Sequence, residues 1–388
     1  MSSRKKAGPL MITQLFLPTK GGTAMSFDDD FRRIGQKEVH IVTEAVPGGK
    51  EYDETHPNTV HRLDLKRRPW LRPESLFIYL KLLFASLWIT ATRPINAIFA
   101  GRALPEGLVA LIVGRLTRRP VLIYAHGEEL TGWGRGRKFR AMCYALGHAD
   151  WVLSNSDNTR DTLIDLIGVK PEHVAVVYPT VDAERFHPGP PQSDLRESIG
   201  WRPGQYLILS IGRLMERKGF DQMIRALPRL HERGMDVHYA IIGIGEDLPR
   251  LQALVQSEAV GDRVHFLGHV SYEDLPRWYI TCDLFAMPNR DVGGDSEGFG
   301  LVFLEAAASG KPVIAGIAGG TASAVVDGVT GLRVDGEKLE EIVAAAEALL
   351  SDPERAEAMG RVGRQRVLEN FVHERRVAEL KQLAGLDQ

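Results

Sequence analysis

Residues 296–310 read SEGFGLVFLEAAASG: one carboxylate, Glu297, enters a Gly-Phe-Gly turn, and a second, Glu305, follows eight positions later. The apolar run Leu301-Val302-Phe303-Leu304 and the alanines behind it predict a helix starting near Leu301. Gly298 and Gly300 carry no Cβ, so the backbone can come close to a ligand and take dihedrals that other residues avoid. The helix start turns unpaired N–H groups and the positive end of its dipole toward the same spot. An anion is expected there, between two carboxylates able to accept hydrogen bonds from hydroxyls. Phosphate and polyol together point to a sugar nucleotide. The plainer alternative is a buried helix after a glycine turn, with Glu297 and Glu305 merely solvated. It leaves unexplained why two acids bracket an apolar run.

Outward from this stretch, short apolar β-rich runs alternate with helical patterns, which is the signature of parallel α/β sheets. In the first half the expected strands are 10–17, 38–43, 97–100, 121–125, 151–154 and 174–177; in the second they are 206–211, 237–242, 264–267, 284–287, 312–315 and 331–334. Helices are expected over 220–233 and 339–351, among others. Between the two sets lies RFHPGPPQSD, residues 185–194, a proline-rich linker composition. At 388 residues the chain exceeds the size at which single cores usually divide. Two Rossmann-like domains follow, with a cleft expected between the carboxyl ends of their sheets.

The net charge of -2 conceals an asymmetry: residues 1–185 hold 26 Lys and Arg against 20 Asp and Glu, and the remainder holds 22 against 30. A basic first half suits an anionic partner or membrane surface. No nucleic-acid partner is expected, and nothing in the sequence sets an oligomeric state. Two distant cysteines, Cys143 and Cys282, build no disulfide or metal framework, as expected of a cytoplasmic protein. The start, MSSRKKAG, lacks the apolar core of a signal peptide. Residues 76–91, LFIYLKLLFASLWITA, are interrupted by Lys81 and too short to span a bilayer, so a buried core helix is expected. The flank Lys66, Arg67, Arg68, Trp70 and Arg72 has the basic-aromatic makeup of a surface touching lipid headgroups, which keeps peripheral membrane contact open.

Other polar constellations fall after strands. Gly21-Gly22 follows the first strand, where backbone amides commonly approach phosphate, although a glycine pair alone more often marks a turn. Gly212-Arg213 and Lys218-Gly219 place two cations five apart, suited to a diphosphate: arginine as a fork, lysine as a point charge. Glu216 and Arg217 beside them read as solvated surface. His126-Gly127-Glu128-Glu129 sets a histidine at a strand end, suited to a sugar hydroxyl or the departing phosphate, with either glutamate able to orient it. Trp133 to Lys138 forms a glycine-spaced basic loop, read as an acceptor loop or idle surface. Asp28-Asp29-Asp30 reads as the N-terminal turn of a helix, where acids offset the dipole. Asp291 and Asp295 lack the pattern of a metal site, and none is expected.

With these residues in place, the chain resembles the GT-B-fold glycosyltransferases of family GT4, retaining enzymes that use nucleotide-sugar donors. The resemblance covers nearly the whole chain. It rests first on the E-x7-E signature, Glu297 and Glu305, then on Gly212-Arg213, Lys218-Gly219, Gly243-x-Gly245-Glu246, Asp327-Gly328-x-Thr330-Gly331-Leu332, Gly21-Gly22, His126-Gly127 and the exit Val181-Asp182-x3-Phe186-x-Pro188. It implies an acceptor-binding domain over 1–186, rejoined by a C-terminal helix within 369–388, and a donor-binding domain over 187–368. It implies that Arg213 and Lys218 clamp the diphosphate and that Glu305 accepts the ribose hydroxyls. Glu297, with the amides of Gly298, Phe299, Gly300 and Leu301, would meet the donor sugar and phosphate. Gly21 and Gly22 would close over the phosphates, and His126 would touch the sugar near the reacting centre.

The implied function is transfer of a hexosyl group from a UDP- or GDP-sugar to an acceptor hydroxyl without metal or other cofactor. The acceptor is expected to be a sugar or lipid-linked saccharide in glycan, glycolipid or cell-envelope polysaccharide synthesis, with a soluble small acceptor as the alternative, and the protein is expected in the cytoplasm or at the inner face of the membrane. Two departures stand out. Pro179-Thr180 replaces the family's Asn-Gly, and Ala322-Ser323 replaces a proline and glutamate after Gly319-Gly320, which bears on fine donor specificity. The alternatives are a sugar-nucleotide epimerase on the same fold, which would need a cluster of acids acting as bases, and a non-catalytic nucleotide-sugar-binding protein, which would not need the intact set of Glu297, Glu305, Arg213, Lys218 and His126.

Overall fold

The computed structural model describes residues 6–19, 21–66, 75–127, 130 and 134–386. Lys20, the flank residues Arg67, Arg68, Trp70 and Arg72, the acids Glu128 and Glu129, and Trp133 lie outside the described residues. The chain divides into two compact units, 1–179 with 373–388, and 180–372. The segment after Pro179 belongs to the second unit because the Val181 N–H donates to the Phe371 carbonyl at 3.0 Å and Arg364 donates to the Phe186 carbonyl at 3.2 Å.

The first unit is built on β1 (Gly8–Ile12), β2 (His40–Glu44), β3 (Thr59–Leu63), β4 (Ile95–Ala100), β5 (Val121–Ala125), β6 (Trp151–Ser154) and β7 (Val174–Val176), in the order β3-β2-β1-β4-β5-β6-β7. The second is built on β8 (Tyr206–Ile211), β9 (Val237–Ile242), β10 (Val264–Gly268), β11 (Leu284–Met287), β12 (Val313–Gly316) and β13 (Leu332–Val334), in the order β10-β9-β8-β11-β12-β13. Every pairing is parallel. Runs such as Val121–Ala125 and Val237–Ile242 are buried throughout because helices cover both faces of a parallel sheet. In each unit the strand order reverses beside the first strand, at β1/β4 and at β8/β11. That reversal opens a crevice beyond the carboxyl ends of the strands.

The structure departs from the sequence-based expectation at four places. β3, Thr59–Leu63, was not anticipated: it is half-buried along its length, carries His61 and Arg62, and lies at the edge of its sheet, so it lacks an apolar run. The acids Asp28 to Asp30 lie inside a helix, Gly22–Ile34, not at its start. Each is paired there: Asp28 with Arg32 at 2.6 Å and His56 at 2.8 Å, Asp29 with Arg33 at 2.9 Å, and Asp30 with Arg376 at 2.8 Å. The C-terminal helical stretch is broken at Phe371. Pro353–Asn370 belongs to the second unit, while His373–Leu383 packs on the helix Gly22–Ile34, with Arg376 also donating to the Val177 carbonyl at 2.9 Å.

The fourth departure is the helix Leu76–Thr92, which is only half a core helix. Ile78, Leu82, Ser86 and Ile89 are buried, while Phe84 and Trp88 are 66% and 57% exposed. Among the described residues no helix is long and apolar enough to cross a membrane.

Candidate functional site

In the second unit the predicted residues gather where the strand order reverses between β8 and β11. β8 runs into Gly212-Arg213, and this loop lies directly against the one that follows β9. A Cβ on Gly243 would sit 1.8 Å from the Gly212 carbonyl oxygen, so glycine there is what lets the two loops touch. Lys218 ends a short 3-10 turn, Glu216–Lys218, and its side chain folds back over Gly212, whose Cα hydrogen points within 3.7 Å of the Lys218 Cε when replaced by a Cβ. The turn is pinned by the Arg290 N–H, which donates to the Arg217 carbonyl at 2.8 Å. It closes on Gly219 at φ +77°, where a Cβ would strike the Pro288 carbonyl at 2.2 Å. Arg213 is exposed, and among the described residues no acceptor engages its guanidinium.

Lys218 and Glu297 come together: the ammonium forms an ion pair and hydrogen bond with Glu297 Oε2. Arg217 Nη1 lies 3.4 Å from the same oxygen, while Arg217 Nε reaches Asp295 Oδ1 at 3.1 Å. Burial opposes a charge on Glu297, which is 8% exposed, but Lys218 and then Arg217 outweigh it and hold the carboxyl below its ordinary range. The Glu297 backbone is gripped as well. Gly320 N–H donates to its carbonyl at 2.7 Å, and Gly319, at φ +70°, leaves no room for a Cβ, which would lie 2.1 Å from that oxygen.

Gly300, at φ +89°, caps the helix Leu301–Ala308, and its carbonyl accepts from the Phe303 N–H at 3.0 Å. Among the described residues no acceptor takes the N–H groups of Leu301 or Val302, so the helix start keeps open donors beside Glu297. The Phe299 ring is buried edge-on against Phe371, at 5.9 Å between centroids, so what Phe299 can offer a ligand is its backbone. Glu305 is half-buried and accepts the Tyr279 hydroxyl on Oε2 at 2.6 Å. Burial pushes its carboxyl up to about 7, and the Tyr279 bond pulls part of the way back. The Tyr279 ring is fully buried, with Phe186 and Phe285 each 5.6 Å from it.

In the first unit Gly21 and Gly22 are exposed at the start of the helix Gly22–Ile34, with Gly21 at φ +139° and open space where a side chain would be. His126 stands at the end of β5 and donates from Nε2 to the Gly101 carbonyl at 2.9 Å, while its ring lies 5.9 Å from Phe27 of that helix. A backbone carbonyl therefore orients this imidazole; Glu128 and Glu129 lie outside the described residues.

Arg217 was expected to be solvated, and it is buried instead, because two carboxylates converge on it; its neighbour Glu216 is exposed. Sequence reading also passed over Tyr279 and the grip of Gly319-Gly320, and it weighed Asp295 only as a metal ligand, not as the partner of Arg217. A signal for the Arg217–Asp295 contact existed: Arg217-Lys218 and Asp295-x-Glu297 carry opposite charges, but nothing in the sequence says that they meet. Among the described residues no group of three or more His, Cys, Asp and Glu side chains is placed to hold a metal ion.

Comparison with known proteins adds to this geometry. Residues 31–185 match the family model described as Glycosyltransferase Family 4, and residues 191–366 match that of Glycosyl transferases group 1. The chain is 35% identical over 387 residues to a GDP-mannose-dependent alpha-(1-6)-phosphatidylinositol monomannoside mannosyltransferase of Mycolicibacterium smegmatis, covering 96% of this chain and 97% of that one. It is 32% identical to the monoacylated-substrate counterpart from Corynebacterium glutamicum, covering 95% and 94%. Among solved structures, Anabaena HepE in complex with UDP superposes with a TM-score of 0.82 at 21% identity, covering 98% of this chain and all of that one. Sucrose-phosphate synthase of Thermosynechococcus elongatus gives 0.77 at 22% identity, covering 98% of this chain and 99% of that one. These likenesses establish the GT-B fold.

Proposed function

The chain belongs to glycosyltransferase family 4, as a hexosyltransferase, and from that membership we propose that it moves a mannosyl group from GDP-mannose to a hydroxyl of a phosphatidylinositol-linked saccharide, with anomeric configuration retained. The observation that carries this choice of donor and acceptor is end-to-end similarity to enzymes named for that donor and that class of acceptor.

The chemistry follows from the second unit. As the bond between the anomeric carbon and the diphosphate oxygen breaks, negative charge grows on the leaving diphosphate. Arg213, Lys218 and the open N–H groups at Leu301 and Val302 answer that charge, which lowers the barrier electrostatically. Glu297 takes hydroxyls of the transferred sugar and Glu305 takes those of the ribose. The acceptor hydroxyl attacks the face that the diphosphate leaves, and its proton passes to the departing phosphate oxygen. With two cations answering the diphosphate, the transfer is assigned as metal-independent. Gly21, Gly22 and His126 are assigned to the donor on the family resemblance.

A lipid-borne acceptor calls for a membrane-facing surface, and the helix Leu76–Thr92 offers one. Phe77, Lys81, Phe84 and Trp88 fall on one face, with both rings of Phe84 and Trp88 largely in solvent. The helix Leu108–Thr117 packs beside it, exposes Ile112 and Leu116, and is followed by Arg118 and Arg119. Apolar rings flanked by cations suit the headgroup region of an anionic leaflet, which supports our assignment of the protein to the inner face of the membrane.

The test is to incubate the protein with radiolabelled GDP-mannose, UDP-glucose or UDP-galactose and vesicles carrying phosphatidylinositol monomannoside. Label should enter the lipid phase from GDP-mannose. Transfer from a UDP-sugar alone, or only to a water-soluble acceptor, would overturn the assignment.

A further inference from the structure

Arg217 enters neither the family signature nor the chemistry above, yet it is one of the few buried arginines of the second unit. Its planar fork is divided between two acids, Nε to Asp295 at 3.1 Å and Nη1 toward Glu297 at 3.4 Å. Lys218 reaches the same Glu297 oxygen from the adjacent position. The lysine assigned to the diphosphate is thus neutralised in the structure by the carboxylate assigned to the sugar. A diphosphate that takes Lys218 competes with that ion pair, and opening it leaves a buried carboxylate with Arg217, 3.4 Å away, as its remaining cation; without Arg217 that state would be expensive in a protein interior.

We propose that Arg217 is a positioning residue for the transfer: it keeps Glu297 ionised and in place when Lys218 turns from Glu297 to the donor diphosphate. This rests on the assignment of Lys218 to the diphosphate. The geometry suits an arginine, because a planar fork can hold Asp295 with one nitrogen and offer another to Glu297 at the same time. Asp295 is itself exposed at the surface and fixes the fork from outside, so Arg217 is not drawn away with Lys218. The pair Lys218–Glu297 acts as an internal stand-in for the donor, and Arg217 allows the exchange of partners.

The test measures binding of GDP and UDP by titration calorimetry, using whichever of the two raises the parent's melting temperature more. Glu297→Gln should bind it several-fold more tightly than the parent, because Lys218 no longer has a competing carboxylate. Arg217→Gln should bind about tenfold more weakly near neutral pH, the scale of losing one charge-assisted hydrogen bond, because Glu297 then depends on Lys218 alone. That deficit should shrink as pH falls and Glu297 takes up a proton. The double variant R217Q/E297Q should recover the affinity of Glu297→Gln, and Arg217→Lys should stay near the parent.

A merely structural arginine would give a deficit that the second substitution does not repair, and that result overturns the proposal. So does a Glu297→Gln variant that binds no more tightly than the parent, a comparison that stands even if Arg217→Gln fails to fold. Lys218→Ala separates the two levels. Unchanged nucleotide affinity there removes the assignment of Lys218 itself, and the proposal with it. Weakened affinity in Lys218→Ala, together with no gain in Glu297→Gln, removes only the partner exchange.

Discussion

Glu305→Gln should make the protein more stable at alkaline pH while weakening its grip on the donor. In the folded chain burial pushes the Glu305 carboxyl from its ordinary 4.5 up to about 7, with the Tyr279 hydrogen bond opposing part of that rise. Below pH 4.5 the group is protonated whether folded or not, and it contributes nothing. Between 4.5 and about 7 the folded protein holds a proton that the unfolded chain has released, so stability falls as pH rises through this window. A shift of this size corresponds to about 3 kcal/mol lost by the time the pH has passed 7. Glutamine cannot ionise, and its carbonyl can still accept the Tyr279 hydroxyl, so the variant escapes the loss. For a body of this size that is an upper limit of roughly 6–12 °C in melting temperature. Scanning calorimetry is the suitable assay, since two units can melt separately. The variant and parent should coincide near pH 4.5, diverge up to about pH 7 and level off toward pH 8, with the variant higher, while GDP binding weakens. A constant difference across pH, or none at pH 8, would refute the placement of a buried carboxyl at Glu305 that the Tyr279 hydroxyl only partly compensates.

A methyl group at Gly319 should be disabling: Gly319→Ala combines φ +70° with a 2.1 Å approach to the Glu297 carbonyl, so a cost of about 1–3 kcal/mol and a loss of transfer activity are expected from melting curves and donor turnover. His40, buried against His61 at 3.0 Å, is held down to about 4 by burial, then by His61 and Arg93. The unfolded chain therefore takes up a proton first as pH falls from 6.5, stability drops by about 3 kcal/mol toward pH 4, and His40→Gln should flatten that limb in pH-dependent denaturation. Arg376→Ala would leave Asp30, fully buried, without its cation, at about 3–5 kcal/mol; protease should then cut near residue 372 in the variant before the parent. Replacing Phe84 and Trp88 together by serine should release the protein from anionic vesicles in a sedimentation assay while GDP binding stays at the parent's level, because both rings are exposed and neither is assigned a ligand contact.

Much of the fold was legible because parallel strands covered on both faces are continuous apolar runs, and the helices between them carry their own period. Tyr206–Ile211 and Val237–Ile242 coincide with their expected spans for that reason. β3 was hidden by its position: an edge strand that is half-buried everywhere can afford His61 and Arg62, and so imitates a loop. The acids Asp28 to Asp30 misled for the opposite reason. Their partners Tyr52, His56 and Arg376 lie up to 346 positions away in the sequence, and three consecutive acids without visible partners look like a helix cap.

The stretch 296–310 by itself determined that a glycine turn bounded by two acids precedes a helix, because glycine, carboxylate and apolar spacing act locally. It also determined the family, since that spacing recurs with Gly212-Arg213 and Lys218-Gly219. Only the tertiary structure decided what the acids do with their charge. Glu297 is an anion because Lys218 and Arg217 reach it across 79 and 80 positions of chain. Glu305 resists ionisation because folding buries its carboxyl, and the Tyr279 hydroxyl offsets only part of that cost. Ionisation is set by the charges and the water within a few ångströms, and folding, not sequence proximity, chooses which those are.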